Sequence, residues 1–141
     1  MKIGVGVGIM ILKDNKILLG LRNPDKEKAS SELQGQGTWT MPGGKVDFHE
    51  KLIDAAKREL KEETDLNGEV LEVLGINDDF TETAHYVTVA FLAKEYSGEV
   101  KAMEPDAILR WEWFSFDDLP EKIYDPSRKA IDKYLSNTLY E

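Results

Sequence analysis

The chain carries no cysteine in its 141 residues. That excludes a disulfide framework, thiolate chemistry and a cysteine-based zinc site, and it fits a cytoplasmic protein. Positive charge is also scarce: 18 Lys and Arg stand against 27 Asp and Glu, a formal net charge of −9. No broad electrostatic grip on a nucleic-acid polymer or an anionic membrane surface is expected from such a chain. An anionic substrate stays compatible with it, because a bound cation inverts the local field. Long hydrophobic runs are missing too. The longest, IGVGVGIMIL at residues 3–12, falls well short of the roughly 18 to 20 residues that span a bilayer. LKDNKILLG follows where a signal peptide would need a small-residue cleavage site, so the run reads as a strand. There is no internal repeat and no low-complexity tract. With 41% hydrophobic and 32% charged residues the composition is that of a soluble globular protein, and one domain covering residues 1–141 is expected at this length.

What is present alternates strand and helix without a linker. Val5, Val7, Ile9 and Ile11 share one face of the first run, while Gly4, Gly6, Gly8 and Met10 share the other, the period of two of a strand. Asp14 and Asn15 make a turn into a second strand, KILLGLR at residues 16–22. The polar, turn-rich stretch NPDKEKASSELQGQG, residues 23–37, predicts a long loop suited to a mobile lid. Further strands are expected over 69–76, 86–93 and 110–115. A last helix from about Ser127 to Leu135 follows Pro126, with Ile131 and Leu135 directed inward. Two amphipathic helices against a mixed sheet make a layered α/β domain.

The chemistry concentrates in MPGGKVDFHEKLIDAAKRELKEETDL, residues 41–66. A helix from about Glu50 to Thr64 puts Leu52, Ile53, Ala56 and Leu60 on one apolar stripe. Glu59, Glu62 and Glu63, spaced i, i+3, i+4, share a face beside it, whereas Lys57 and Lys61 point away as solvated charges. Like charges at that spacing cost roughly 0.2 to 0.5 kcal/mol per pair, and more where the face is partly desolvated. Arg58 offsets part of the repulsion, but one guanidinium does not neutralise three carboxylates. A divalent cation with oxygen ligands does, and hard Mg²⁺ or Mn²⁺ is the natural occupant where no soft ligand is near. Taken alone, a glutamate-rich helix face is most often solvated surface. Pro42, Gly43 and Gly44 change the balance, since two glycines let the backbone bend closely around a ligand and offer it carbonyls or amides. Such a loop ahead of three glutamates is a cradle for phosphate and metal.

These residues resemble the Nudix signature, G-x5-E-x7-R-E-U-x-E-E-x-G-U, with U a bulky aliphatic residue. Gly44, Glu50, Arg58, Glu59, Leu60, Glu62, Glu63 and Leu66 stand at the required spacings, and Asp65 stands where the signature has glycine. Aspartate tolerates a left-handed helix exit better than most residues, so the fold is expected to survive, and the departure bears on the shape of the exit loop and not on the metal site. The segments GTWTMPGGKVDFHE, HYVTVAFLA and MEPDAILRWEWFSFDDLP look like those of MutT-like nucleoside triphosphate diphosphatases in that family. The SQPWPFPxS tail of NADH diphosphatases is absent, and no proline lies between Leu66 and Pro105, where ADP-ribose enzymes usually carry one.

The resemblance implies an α/β/α sandwich around a mixed β-sheet and Mg²⁺-dependent hydrolysis of a nucleotide, with Mn²⁺ able to substitute. The substrate it points to is a nucleoside triphosphate, cut to monophosphate and pyrophosphate. Another nucleoside diphosphate derivative, such as ADP-ribose or a dinucleoside polyphosphate, and a non-catalytic nucleotide-sensing module are the alternatives. Carried onto this chain, Glu59 and Glu63 become direct metal ligands, Glu62 a ligand directly or through water, and the Gly43 carbonyl completes the sphere. Arg58 holds the glutamates in place with Glu50 as its partner. Glu62 and Glu104 are the two candidates for general base, Glu104 also for a metal ligand, and Gly44 is placed against the substrate. Trp39, Trp111, Trp113, Tyr86 and Tyr124 are candidates for stacking on a base, although aromatics at strand spacing more often pack into a core. Gly4, Gly6 and Gly8 either let a base approach the first strand or make room for packing; GVGVG lacks the spacing of a dinucleotide fingerprint. His49 and His85 belong to no motif and are expected to be structural or solvent-facing. A homodimer is left open.

Overall fold

The first apolar run forms strand β1, Ile3–Met10, and stops before the run does. In the computed structural model, which describes residues 2–29 and 33–141, the chain leaves its first sheet at Ile11, and β2, Leu12–Lys13, already belongs to a second. Asp14 and Asn15, with φ of 51° and 63°, build the left-handed turn whose twist suits a tight hairpin. It leads into β3, Lys16–Arg22. A short helix α1, Lys26–Ala29, interrupts the expected loop, and the part of that candidate lid at residues 30–32 lies outside the described residues. Strands β4, Trp39–Thr40, and β5, Gly43–Lys45, bracket Pro42.

Helix α2 runs Leu52–Thr64. It is followed by the long hairpin of β6, Asn67–Phe80, and β7, His85–Ser97, by β8, Ile108–Ser115, and by α3, Asp125–Ser136. Both hairpin strands outrun the expected 69–76 and 86–93. Register shifts between Gly68 and Val70, Val70 and Leu71, and Val73 and Gly75 break the alternation of β6, so a period of two does not mark its full length.

Strands β5, β1, β7 and β6 form a mixed four-stranded sheet in that order, with β1 parallel to β7 and the other pairs antiparallel. The expected sandwich is visible in how β1 divides its side chains. Val7 and Ile9 meet Ala55, Ala56 and Leu60 of α2 in one cluster, while Met10, on the opposite face, meets Ala130 and Ile131 of α3 in another. Beside this sandwich stands a second, antiparallel sheet of β2, β3 and β4, with β8 paired to β3. A fully buried leucine such as Leu60 contributes about 1.5–3 kcal/mol. No helix among the described residues is long and apolar enough to cross a membrane.

Three side chains expected to face inward do not. Leu52 and Ile53 are 38% and 36% exposed, and the buried stripe of α2 is Ala55, Ala56, Leu60 and Thr64; the helix starts only at Leu52, and its alanines let it lie close against the sheet. On α3, Ile131 is buried as expected but Leu135 is exposed. Tyr134 takes the inward place at that end and stacks on Phe116 at 5.6 Å.

Candidate active site

A cleft of about 820 Å³ opens over the α3-side face of β1 and β7. Its β5 end carries the acids. Gly43 donates its N–H to Glu63 Oε1 at 2.8 Å, which ties the glycine pair to the last turn of α2. A Cβ on Gly44 would stand 2.4 Å from Glu59 Cδ, and one on Gly43 would stand 2.2 Å from the Val7 carbonyl oxygen. Neither position has room for a side chain, for different reasons: Gly44 clears space for a carboxylate, Gly43 for a neighbouring strand.

Arg58 organises the outer side of this end. Its Nε and Nη2 donate to the two oxygens of Glu50 at 2.8 and 2.9 Å, Nη1 donates to Glu59 at 2.8 Å, and Nη2 also reaches the Lys45 carbonyl at 2.9 Å. The fork geometry is the bidentate arrangement that favours arginine over lysine. These bonds hold the Glu50 carboxyl down at about 2 and raise the Arg58 guanidinium, Glu50 being the largest influence on it. The expected Arg58–Glu50 pairing is therefore present.

The glutamates divide. Glu63 lines the cleft, and burial pushes its carboxyl well above the ordinary carboxylate range, with Glu59 and Glu104 adding to the rise. Glu59 also lines the cleft and is likewise raised by burial first, against the opposing bond from Arg58, with Glu62 and Glu104 raising it further. Glu104 reaches the same wall because the preceding segment docks on the end of α2, Lys101 N–H donating to the Thr64 carbonyl and Met103 N–H to that of Glu63. Glu62 is placed differently. Its side chain is 48% exposed on the rim, 3.3 Å from Arg58 Nη1, and is not among the cleft-lining residues.

Among the described residues no three acidic or histidine side chains are drawn into a ready coordination sphere. The donor chemistry nevertheless fits a hard divalent cation. Glu59, Glu63 and Glu104 line one cleft, all donors are oxygens, and burial raises the pKa of Glu59 and Glu63, a shift that a bound cation would oppose.

Helix α2 leaves through Asp65 in the left-handed conformation, with φ 65° and ψ 12°, its N–H donating to the Lys61 carbonyl. The substituted signature position thus keeps the backbone geometry of a glycine exit. Its carboxylate pairs with Lys61 at 3.0 Å and Lys101 at 3.4 Å, so Lys61 is engaged rather than simply solvated.

Aromatic candidates separate as well. Tyr86 and Tyr124 line the cleft. Trp39 does not: it meets Phe114 edge-on at 4.9 Å, lies under Arg110 and packs against the α3 cluster, which removes it as a stacking residue. Trp111 and Trp113 pack against the α2 cluster instead. Of the glycines, Gly4 makes room for packing, since a Cβ there would stand 2.4 Å from the Tyr86 ring, whereas Gly6 lines the cleft with Gly8. His49 stacks on Phe48 and His85 meets Phe80, both exposed and outside the cleft.

Arg22 was not legible in the sequence. It ends β3, is 8% exposed, lines the cleft, and donates to the Gly35 and Ala29 carbonyls at 2.9 and 3.1 Å while lying 4.6 Å over the Tyr124 ring. Burial lowers its pKa, against the charges of Tyr124 and Glu63. A lone arginine at the end of an apolar strand reads as a solvated terminus, and only the tertiary fold turns it inward.

Three carboxylates crowd one end of the cleft, the buried Arg22 guanidinium interacts electrostatically with Glu63, and glycines make up part of the lining, an arrangement compatible with a phosphate-bearing ligand and a divalent cation. The NUDIX domain family matches residues 2–134, and the chain belongs to the Nudix hydrolase family, whose members cleave phosphoric anhydride bonds of nucleotide derivatives with the help of divalent metal ions. It is similar to a MutT NUDIX hydrolase from Burkholderia pseudomallei, whose crystal structure superposes with a TM-score of 0.84 at 34% identity over 94% of this chain and 98% of that one. It is 34% identical over 133 residues to an ADP-ribose pyrophosphatase of Methanocaldococcus jannaschii, covering 93% of this chain and 72% of the relative. An oxidized purine nucleoside triphosphate hydrolase of Danio rerio is 32% identical over 114 residues, covering 79% and 66%. Of three other relatives the chain spans only 19% to 22% of the length.

Proposed function

We propose that the protein is a pyrophosphohydrolase that cuts a nucleoside triphosphate to the monophosphate and pyrophosphate. The observation that carries this reading is the polarity of the cleft: Glu59, Glu63 and Glu104 at the β5 end, and the flat floor of Gly6, Gly8 and Ala90 leading away from them. A polyphosphate lies at the first and a planar ring on the second. Glu59, Glu63 and the Gly43 carbonyl would hold Mg²⁺ or Mn²⁺, with Glu104 beside them and Glu62 acting from the rim through water. When bound, the metal would neutralise charge on the phosphoryl oxygens and lower the pKa of water. Arg58, clamped on Glu50, fixes the direction of Glu59. Arg22 faces the polyphosphate as a desolvated cation, and Glu104, being inside the cleft, is better placed than Glu62 to take a proton from the attacking water. The lack of cysteine is compatible with a cytoplasmic setting.

A second reading, hydrolysis of ADP-ribose, is supported by the archaeal relative bearing that name. A panel of nucleoside triphosphates, ADP-ribose and dinucleoside polyphosphates with Mg²⁺ separates the two. For a triphosphate substrate, reaction in ¹⁸O-labelled water locates the attack. Label in pyrophosphate means attack at the β-phosphorus, the expected outcome; label in the monophosphate means attack at the α-phosphorus. Turnover of ADP-ribose with no triphosphate cleaved would refute the first reading and uphold the second.

A further inference from the structure

Among the described residues, several polar side chains around the floor and the α3 wall of the cleft are already engaged within the protein. β1 and β7 pair in parallel with Gly6 beside Thr88 and Gly8 beside Ala90, and all four line the cleft. The next strand outward, β6, sets Asn77 opposite Thr88. Asn77 is 1% exposed and already committed: its Nδ2 donates to the Pro126 carbonyl at 3.0 Å, and its Oδ1 accepts from Lys133 Nζ at 2.8 Å. On the α3 wall the hydroxyls are committed too. Ser127 Oγ accepts from the Met41 N–H at 2.9 Å, and Thr40 Oγ1 donates to the Met41 carbonyl at 2.8 Å.

Thr88 differs from these. Among the described residues its hydroxyl has no hydrogen-bond partner, and it is half-buried on the floor rather than exposed on a rim. A Cβ built on Gly6 would come within 3.8 Å of Thr88 Oγ1, so the missing side chain at Gly6 leaves that hydroxyl uncovered. The same Cβ would meet the Gly44 carbonyl at 3.3 Å, a tight but tolerable contact. Gly6 is therefore not forced by the backbone around it, as Gly43 is, and the space it leaves lies between Thr88 and the metal end.

We propose that Thr88 is a specificity-determining residue whose hydroxyl hydrogen-bonds the heteroatom edge of a nucleobase lying over Gly6 and Gly8. The inference rests on the nucleotide reading of the cleft. A hydroxyl both donates and accepts, so Thr88 accommodates an amino or an oxo substituent. It discriminates against a base that presents only C–H to it, because a buried hydroxyl left unpaired is penalised while an apolar pocket is nearly indifferent.

The test is binding, so that it does not depend on turnover. Nucleoside 5′-monophosphates, the unsubstituted purine riboside 5′-monophosphate and base-free ribose 5-phosphate are titrated into wild type, Thr88→Val and Thr88→Ser, with affinities read by NMR chemical-shift titration. Valine keeps the shape and removes the hydroxyl; serine restores it. Thr88→Val is expected to weaken the best-bound nucleotide by about two- to tenfold, the worth of one hydrogen bond, and to erase the preference over the unsubstituted purine. Serine returns affinity and preference, and ribose 5-phosphate binds all three alike. Unchanged nucleotide affinity in Thr88→Val, or an equal loss for ribose 5-phosphate, overturns the inference. Absence of nucleotide binding by wild type overturns it together with the nucleotide reading, whereas base-selective binding without hydrolysis overturns the hydrolytic reading and leaves Thr88 its role.

Discussion

Adjacent glycines at 43 and 44 are predicted to answer the same substitution in opposite ways. At Gly44 an alanine Cβ would sit 2.4 Å from Glu59 Cδ and Oε2, and 2.6 Å from Oε1. That contact is with the far end of a flexible side chain, so the carboxylate swings away and the fold gives nothing up. Gly44 is not among the glycines of positive φ, and alanine there restricts the unfolded chain, a gain of about 0.4–1 kcal/mol where native geometry allows it. Glu59, however, moves by something like an ångström out of its bond with Arg58, and displacement on that scale costs about a hundredfold in rate. At Gly43 the obstacle is backbone: the Val7 oxygen at 2.2 Å and Gly8 Cα at 3.0 Å, across the β1–β5 pairing. Relief there means parting two strands, an overpacking penalty of about 1–3 kcal/mol. Thermal unfolding and Mg²⁺-dependent hydrolysis of the best substrate from a nucleotide panel decide the matter. Gly44→Ala should keep or raise the melting temperature while kcat/KM falls about a hundredfold, and Gly43→Ala should lower the melting temperature. Wild-type kcat/KM in Gly44→Ala would refute the account of Glu59, and an unshifted melting temperature in Gly43→Ala would refute the account of the strand contact.

Glu63→Gln should reduce turnover by orders of magnitude while the fold persists, because an amide oxygen still accepts the Gly43 N–H; circular dichroism with single-turnover kinetics checks both halves. Saturating Mg²⁺ should stabilise the wild type by roughly 2.7 kcal/mol at a hundredfold excess over the dissociation constant, and Glu59→Gln should blunt that rise; equal shifts in the two proteins would put the cation elsewhere. Lys61, ahead of Lys101, holds the Asp65 carboxyl below its ordinary 3.8. Its stabilising charge is therefore present above that value and lost as pH falls through the lower folded-state value. Asp65→Asn, which keeps the left-handed preference, should destabilise the protein near neutral pH and match wild type in strong acid; a pH-independent difference in denaturation midpoint would contradict this.

The acidic helix was legible because its message is local. Spacing fixes which face Glu59 and Glu63 occupy, and paired glycines at 43 and 44 mark a place where other groups come close to the backbone. Asp65 was legible for the same reason, since a left-handed residue is a property of one position and its neighbours. What escaped was whatever depends on strands distant in sequence. Nothing near Arg22 in the chain indicates that Gly35, Ala29 and Tyr124 will surround it. Trp39 and Tyr124 carry equal promise as ring-bearing residues, and only the second sheet decides that one packs on Phe114 while the other faces the cleft. Leu52 and Leu135 fit helical periodicity yet lie at helix ends where the sheet no longer covers them. Glu62 and Glu63 differ by one position and part company across the rim, because a helix turns about 100° per residue.

The parallel pairing at the centre of the mixed sheet has a kinetic consequence. β6 and β7 form a hairpin closed through residues 81–84, a local event, whereas β1 must find residues 85–92 from the far end of the chain. Closing so long a loop is entropically expensive and contributes little until the pair is made. The hairpin is therefore expected to be structured in the folding transition state and β1 to dock late. The cleft floor exists only after that docking, since Gly6 and Gly8 arrive on one strand and Thr88 and Ala90 on the other. Destabilising substitutions in β1, such as Ile9→Val, should accordingly accelerate unfolding and scarcely slow folding, and a nucleotide should protect the native state by slowing escape from it rather than by hastening its formation.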